Sequence, residues 1–485
     1  MPAKHRHVAT TYSDMGLFRR GWKENTATCE PSLPEGLLAI MARSNAPRST
    51  SARPAYCPPL VISVHGIRTA GRWQKSLADT LGSHKIEHRN RDYGNFGLFR
   101  FAWGPSRQHQ VDDFYEFYSA TAREKGLNID LDDYRSRPSI IAHSFGSYII
   151  GYAMKKYPDI RFDKIILCGA ILPVDFDWST LFHRDQVNFV RNEYGAKDRW
   201  AASVRALVGD AGASGQKGFQ FLSTVVSQER FESFGHSDYF HRAHIESHWI
   251  PILVREPSPL QIQHGRNMGP DISKFVAILN AVAAIDDTCF SHLPNYTKLQ
   301  IPRGLSTTWI EINPDIYTFL LDRDRNRVCG YINAVPVQDK CFERIKAGKL
   351  KDNELRADDI KPFLQNQTLK LYLMSIAIDP VIRNASQGLY QEPFERLMSG
   401  LINKLYHYAV NCGIRVTELV AVGWTGAGTK LCMELGMQIV GEDSDGHPIY
   451  WVDLTSNEQR SVERILPGVQ RLLDAYRYLI ESTEA

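Results

Sequence analysis

The stretch PSIIAHSFGSYIIGYAMKKY (138–157) places a hydroxyl where chemistry is easy to arrange. A β-branched run ends in His143 and Ser144, then passes through Gly146 into an apolar-periodic helix. A serine on such a strand-to-helix turn has its oxygen lifted clear of the backbone, and the helix start supplies free N–H groups. Ala142 and Gly146 flank Ser144 at the two spacings where a cramped turn needs small residues. A serine hydroxyl is a poor nucleophile until an imidazole accepts its proton, and the imidazole needs an acid to orient it. The plain structural alternative is a serine that caps the helix FGSYIIGYAMKKY. A small-x-Ser-x-Gly match is common by chance, so the surrounding elements must carry the argument.

Those elements alternate. From Leu60 to about Ile285, the strand-like runs LVISVHG, GLFRFAW, SIIAHS, KIILCGA and QVNFVRN are separated by helix-like runs. The helix-like runs are WQKSLADTLG, DDFYEFYSATAREKG, FGSYIIGYAMKKY and a stretch after Asp198. Such alternation implies βαβ crossovers and a mostly parallel sheet covered on both faces, an α/β fold. In such a sheet the carboxyl ends of the strands face the crevice where ligands are held. Ser144 follows the strand SIIAHS at that end.

The chain of 485 residues is too long for one ordinary domain. Hydrophobic residues make up 43% and charged residues 23%, as in a globular protein, and a net charge of +3 gives no reason to expect nucleic acid. Eight scattered cysteines with no CxxC argue against a disulfide framework and against a zinc site, so no metal is expected. There is no signal-peptide core and no apolar run long enough to span a bilayer, so the expectation is a cytoplasmic protein without a transmembrane segment.

On the residues 60–285 the chain resembles the α/β-hydrolase family, in its lipase- and esterase-like branches. AHSFG resembles the nucleophile elbow, with Ala142 at a position commonly held by glycine, and VHGIRTAGRW resembles the HG loop. The resemblance implies that the N–H groups of Ile67 and Phe145 hold an oxyanion. Arg68 is either an anion contact or a plain exposed arginine. His65 then supports the HG loop, and His143 is a strand-end residue. The resemblance also implies an acid and then a histidine later in the chain. SFGHSDYFHRAHIESHWIPIL offers His236, His241, His244 and His248; the last three are at helical spacing, and His236 lies in the Gly-His-Ser-Asp loop before them. Asp198 follows the second strand after the elbow, with Asp175 and Asp177 as alternatives. The implied catalytic set is Ser144, Asp198 and His236, acting without a cofactor on a small-molecule or lipid-like ester.

After residue 305 the pattern changes. TFLLDRD and RVCGYINAVPV resemble a hairpin, and LKLYLMSIAI a long strand. The helix PFERLMSGLINKLYHYAVNCG, the strand TELVAVGW, a short helix and a final hairpin follow. Over 306–454 the chain resembles the GNAT acyltransferase family, in which a bulged strand precedes a pyrophosphate-binding loop at a helix start. Arg383, Ser386 and Gly388 stand in that loop's places, and the resemblance implies acetyl-CoA or an acyl-CoA as ligand. Cys432 stands where the family usually carries a tyrosine general acid.

The expected organisation is an N-terminal extension over 1–57, a hydrolase domain over 58–285, a linker over 286–305, an α+β GNAT-like domain over 306–455 and a helical segment over 456–485. The expected function is a serine hydrolase acting on a carboxylic ester, with the GNAT-like domain binding acyl-CoA or regulating it. The alternatives are a GNAT-type N-acetyltransferase with the hydrolase half as scaffold, or a ligand-gated sensor or effector.

Overall fold

A computed structural model of the chain describes residues 56, 58–66, 72–92, 102–127, 134–200, 208–220, 225–268, 272–293, 296, 301, 303–325, 327–385, 391–456 and 467–482. The described strands form two sheets. The first has the order β2-β1-β3-β4-β5-β6 and every pair in it is parallel. Its strands are β1 (Val61–Val64), β2 (His88–Arg91), β3 (Ser139–His143), β4 (Phe162–Cys168), β5 (Val187–Gly195) and β6 (Val226–Phe231).

Every residue of β1, β3 and β4 is buried, because helices cover both faces of these central strands. Their Ile- and Val-rich runs are what the sequence shows. The edge strands HRNR and VSQERF carry polar side chains toward solvent, so hydrophobic patterning passes over them. The expected strand GLFRFAW lies mostly outside the described residues. The helix Phe145–Lys156 packs behind β3 and against the helix Gly104–Lys125.

The second sheet has the order β12-β13-β11-β10-β9-β8-β7. It comprises β7 (Leu260–His264), β8 (Tyr317–Asp322), β9 (Arg327–Val337), β10 (Thr368–Ile378), β11 (Arg415–Val422), β12 (Gln438–Glu442) and β13 (Pro448–Asp453). All of its pairs are antiparallel except β10 with β11, and β10 carries a register shift between Leu373 and Ser375 where it pairs with β9. One face is covered by the helices Ile272–Phe290, Arg303–Ile312 and Asp339–Lys346, and the other by Gln391–Cys412, against which Pro467–Ser482 packs.

The expected boundary at residue 285 therefore moves. Leu260–His264 adds to the edge of the second sheet by pairing antiparallel with β8. Ile278, Val282 and Ile285 bury against Trp309, Tyr317 and Tyr331. Of the expected linker over 286–305, the start lies in the helix Ile272–Phe290 and the end in Arg303–Ile312, and these two helices pack together. The two units also share a continuous apolar core, in which Trp178, Leu181 and Val187 lie in one cluster with Leu401, Leu405 and Tyr408. Among the described residues no helix is long and apolar enough to cross a membrane.

Candidate active site

Ser144 follows β3 with φ 52° and ψ −120°, a conformation that costs a non-glycine residue about 1–3 kcal/mol and persists only where packing enforces it. That packing is visible at Gly146, where a Cβ would come within 2.4 Å of the Val64 carbonyl oxygen. The helix thus enters closer to β1 than any side chain allows. Gly66 has the same constraint from the other side: a Cβ there would lie 2.6 Å from the Ser144 Cβ. The Ser144 side chain makes no capping bond to its helix. Its Oγ lies 2.9 Å from Nε2 of His236 instead.

His236 reaches the serine from the loop after β6. Its Nδ1 lies 2.8 Å from Oδ2 of Asp198, whose side chain is fully buried. A carboxylate can only accept, so Nδ1 carries the proton and Nε2 presents its lone pair to the serine hydroxyl. Backbone bonds hold the two loops together, with the N–H groups of Ala196 and Lys197 donating to the carbonyls of Phe231 and Phe234 at 3.0 Å each. Asp238 closes the histidine loop by accepting from the Gly235 N–H at 2.7 Å.

Two further residues shape this arrangement. Gly169, at the end of β4, has φ 53°, and a Cβ there would lie 2.9 Å from the His236 carbonyl oxygen and 3.3 Å from Oδ2 of Asp198. The second is His143, which the sequence reading leaves as a strand-end residue. Its Nε2 lies 2.7 Å from the His236 carbonyl oxygen, and burial, aided by the nearby His236, lowers its pKa to about 3. This imidazole is therefore neutral and donates. Trp73 stacks on Phe240 at 4.1 Å, and Phe240 meets His143 edge-on, so aromatic rings fix the second imidazole. The sequence signals for both residues are weak, a glycine after an apolar run and a histidine beside a serine.

The other candidates have structural work. Asp177 caps the helix Trp178–His183, accepting from Thr180 N–H at 3.1 Å, and Asp175 is exposed. His244 lies 2.7 Å from the buried Glu193, which also accepts from the Trp249 indole at 2.8 Å. His241 is exposed, and His248 stacks on His244. His65 contacts the Gly66 carbonyl at 2.8 Å. Phe145 is buried at the first turn of its helix, whereas Ile67 and Arg68 lie outside the described residues.

In the second unit Arg383 lies in the helix Pro380–Ala385; its side chain, together with Ser386 and Gly388, lies outside the described residues. Cys432 is packed in the apolar core, and burial raises its thiol pKa to about 12. Glu193, Glu229 and His248 are close enough to share a cation, but Arg191 already pairs with both carboxylates.

No protein-family model and no curated protein matches this chain. The solved structures similar to it include a fluorophosphonate-binding serine hydrolase of Staphylococcus aureus, with 15% identity over 43% of this chain and 88% of that one and a TM-score of 0.27. A protein of Xanthomonas campestris assigned to the α/β hydrolase superfamily shows 16% identity over 38% and 93% of the two chains, with a TM-score of 0.25. An uncharacterized protein of Bacillus cereus shows 13% identity over 50% and 70%, with a TM-score of 0.29. Likeness at this level carries no argument about chemistry, which rests on the geometry of Ser144, His236 and Asp198 alone.

Proposed function

We propose that the first unit is a serine hydrolase that cleaves a carboxylic ester. The observation that carries this reading is the continuous path from Ser144 Oγ through both ring nitrogens of His236 to Asp198, at 2.9 and 2.8 Å. Ser144 attacks the acyl carbon while its proton passes to Nε2 of His236. The alkoxide that leaves takes this proton, and the acyl group stays on Ser144. A water then gives its proton to His236 and attacks the acyl-enzyme, and His236 returns that proton to Ser144 Oγ as the acid leaves. Asp198 keeps the imidazole in the required tautomer and stabilises the imidazolium as it forms. The N–H groups of Phe145 and Ile67 are the proposed oxyanion donors. An apolar acyl group suits the aromatic surroundings, where Trp200 and His236 have ring centroids 6.2 Å apart.

The test is labelling by a fluorophosphonate probe. The folded wild type is expected to label, and Ser144→Ala and His236→Ala to lose the label. A folded wild type that resists the probe would count against an activated serine.

For the second unit the reading is a GNAT-like domain that binds acyl-CoA or regulates the hydrolase. The irregularity of β10, its parallel partner β11 and the long helix after it support this. Acetyl transfer is the weaker alternative, because Cys432 is sealed in the core where the resemblance calls for a general acid. Calorimetric titration with acetyl-CoA tests binding, release of the free CoA thiol in the presence of a primary amine tests acetyl transfer, and no binding removes both.

A further inference from the structure

Glu193 lies near the carboxyl end of β5, the strand that leads to Asp198, and its side chain is fully buried. Its Oε2 accepts twice, from His244 Nε2 at 2.7 Å and from the Trp249 indole at 2.8 Å. Arg191 Nε donates to Oε1 at 3.3 Å. Burial alone would raise the pKa of this carboxyl, yet His244, Trp249 and Arg191 hold it below its usual range.

The two donors on Oε2 come from one helical segment and are five residues apart. At about 3.6 residues per turn, that spacing sets two side chains roughly 140° apart around an α-helix. Here Ile245–Trp249 is a π-helical turn, in which the Ile250 N–H donates to the Ile245 carbonyl. Such i→i+5 bonding brings positions five apart onto one side of the helix. Pro251 accounts for the widening, since it offers no N–H to the turn before it and its ring crowds the Ser247 carbonyl.

The loop that carries His236 packs on this segment. Phe234 and Tyr239 flank His236 in sequence, and their ring centroids lie 5.3 and 6.3 Å from that of His244. Phe231, at the end of β6, meets the same imidazole at 5.1 Å. The loop also presses on β5 itself, where a Cβ on Gly195 would lie 2.4 Å from the Phe234 carbonyl oxygen. His244 therefore joins the loop of the candidate base to the strand that leads to the candidate acid.

We infer that Glu193 is a positioning residue for His236, acting through His244 and Trp249 on the loop between β6 and the π turn. The inference rests on the serine-hydrolase reading above. Apolar packing alone would hold the helix without direction, whereas two hydrogen bonds to one buried carboxylate oxygen fix its rotation and its distance from β5. The rings that rest on His244 are fixed with it, and so is the imidazole that must lie between Asp198 and Ser144.

The experiment compares Glu193→Gln and Trp249→Phe with the wild type, each as the full chain. Fluorophosphonate labelling carried to completion counts active sites, and ester turnover per labelled site gives kcat, with KM read separately. The far-downfield proton NMR signal of His236 Nδ1–H, assigned by its loss in Asp198→Ala, reports the placement of the imidazole without turnover. A fall in kcat of roughly tenfold or more is expected in both variants, with KM little changed and the NMR signal displaced or lost. Trp249→Phe keeps an aromatic ring and removes one N–H, so it carries the test if Glu193→Gln fails to fold. A purely structural role would lower Tm alone: a lowered Tm with unchanged kcat per site and an unchanged NMR signal overturns the inference. A folded wild type that does not label overturns the hydrolase reading instead, and the NMR signal of Trp249→Phe still decides whether Glu193 places His236.

Discussion

His143 holds His236 by its backbone: the buried imidazole donates to the His236 carbonyl oxygen at 2.7 Å, at the one end of the loop that must not move. The neighbour of the candidate nucleophile thus positions the candidate base. His143→Phe should leave Ser144 in place, free that carbonyl and lower esterase kcat by roughly 10–100-fold, the order expected when a reacting group shifts by about 1 Å. His143→Gln keeps a donor and should recover much of the rate. Equal losses in the two variants would show that the ring's packing matters and the bond does not.

Gly169 marks the contact that lets acid and base meet. Gly169→Ala places a methyl 2.9 Å from the His236 carbonyl oxygen at a position with φ 53°. A stability loss of about 1 kcal/mol or more is expected from the backbone alone. Esterase rate should fall further than stability does, read as kcat measured well below the variant's Tm. A variant of wild-type activity would mean that the loop closes without this close approach.

Asp198→Asn keeps the shape of the site and reverses the hydrogen bond to Nδ1. The imidazole would then carry its proton on Nε2, facing the serine. A drop of roughly 10³–10⁴-fold in kcat is expected, with little change in fold by circular dichroism. Retention of more than a tenth of the wild-type rate would remove Asp198 from the proposed set.

Stability should fall on mild acidification. Burial lowers the pKa of His88 to about 4, of His143 to about 3 and of His407 to about 4. Each is depressed below the 6.5 of a free histidine, so between about pH 4 and 6.5 the unfolded chain binds more protons than the folded one. The contribution is fully present above about pH 6.5 and is lost as pH falls, by up to about 1.4 kcal/mol per pH unit for each residue. Urea melts at pH 7.5, 6.0 and 5.0 measure this, and His143→Phe should reduce the slope. A stability unchanged between pH 7.5 and 5.0 would contradict the burial of these rings.

The central strands and the turn at Ser144 were legible because burial on both faces writes itself as unbroken Ile and Val, and the turn as a serine between Ala142 and Gly146. His236 and Asp198 could be named from chain order once the resemblance was seen. The edge strands β2 and β6 escaped because half of their surface meets water, which erases the apolar signal. The placement of Leu260–His264 escaped for a different reason. Five residues with alternating side chains can extend either sheet, and only the partner strand β8 decides which. Local sequence therefore determined the central elements and the turn that carries Ser144. Tertiary structure decided what no local pattern encodes: the gap that Gly169 leaves for His236, the bond from His143 and the meeting of Arg137 and Arg323 on Asp185. Each is a contact between residues far apart in the chain, and its energy exists only once the chain has folded.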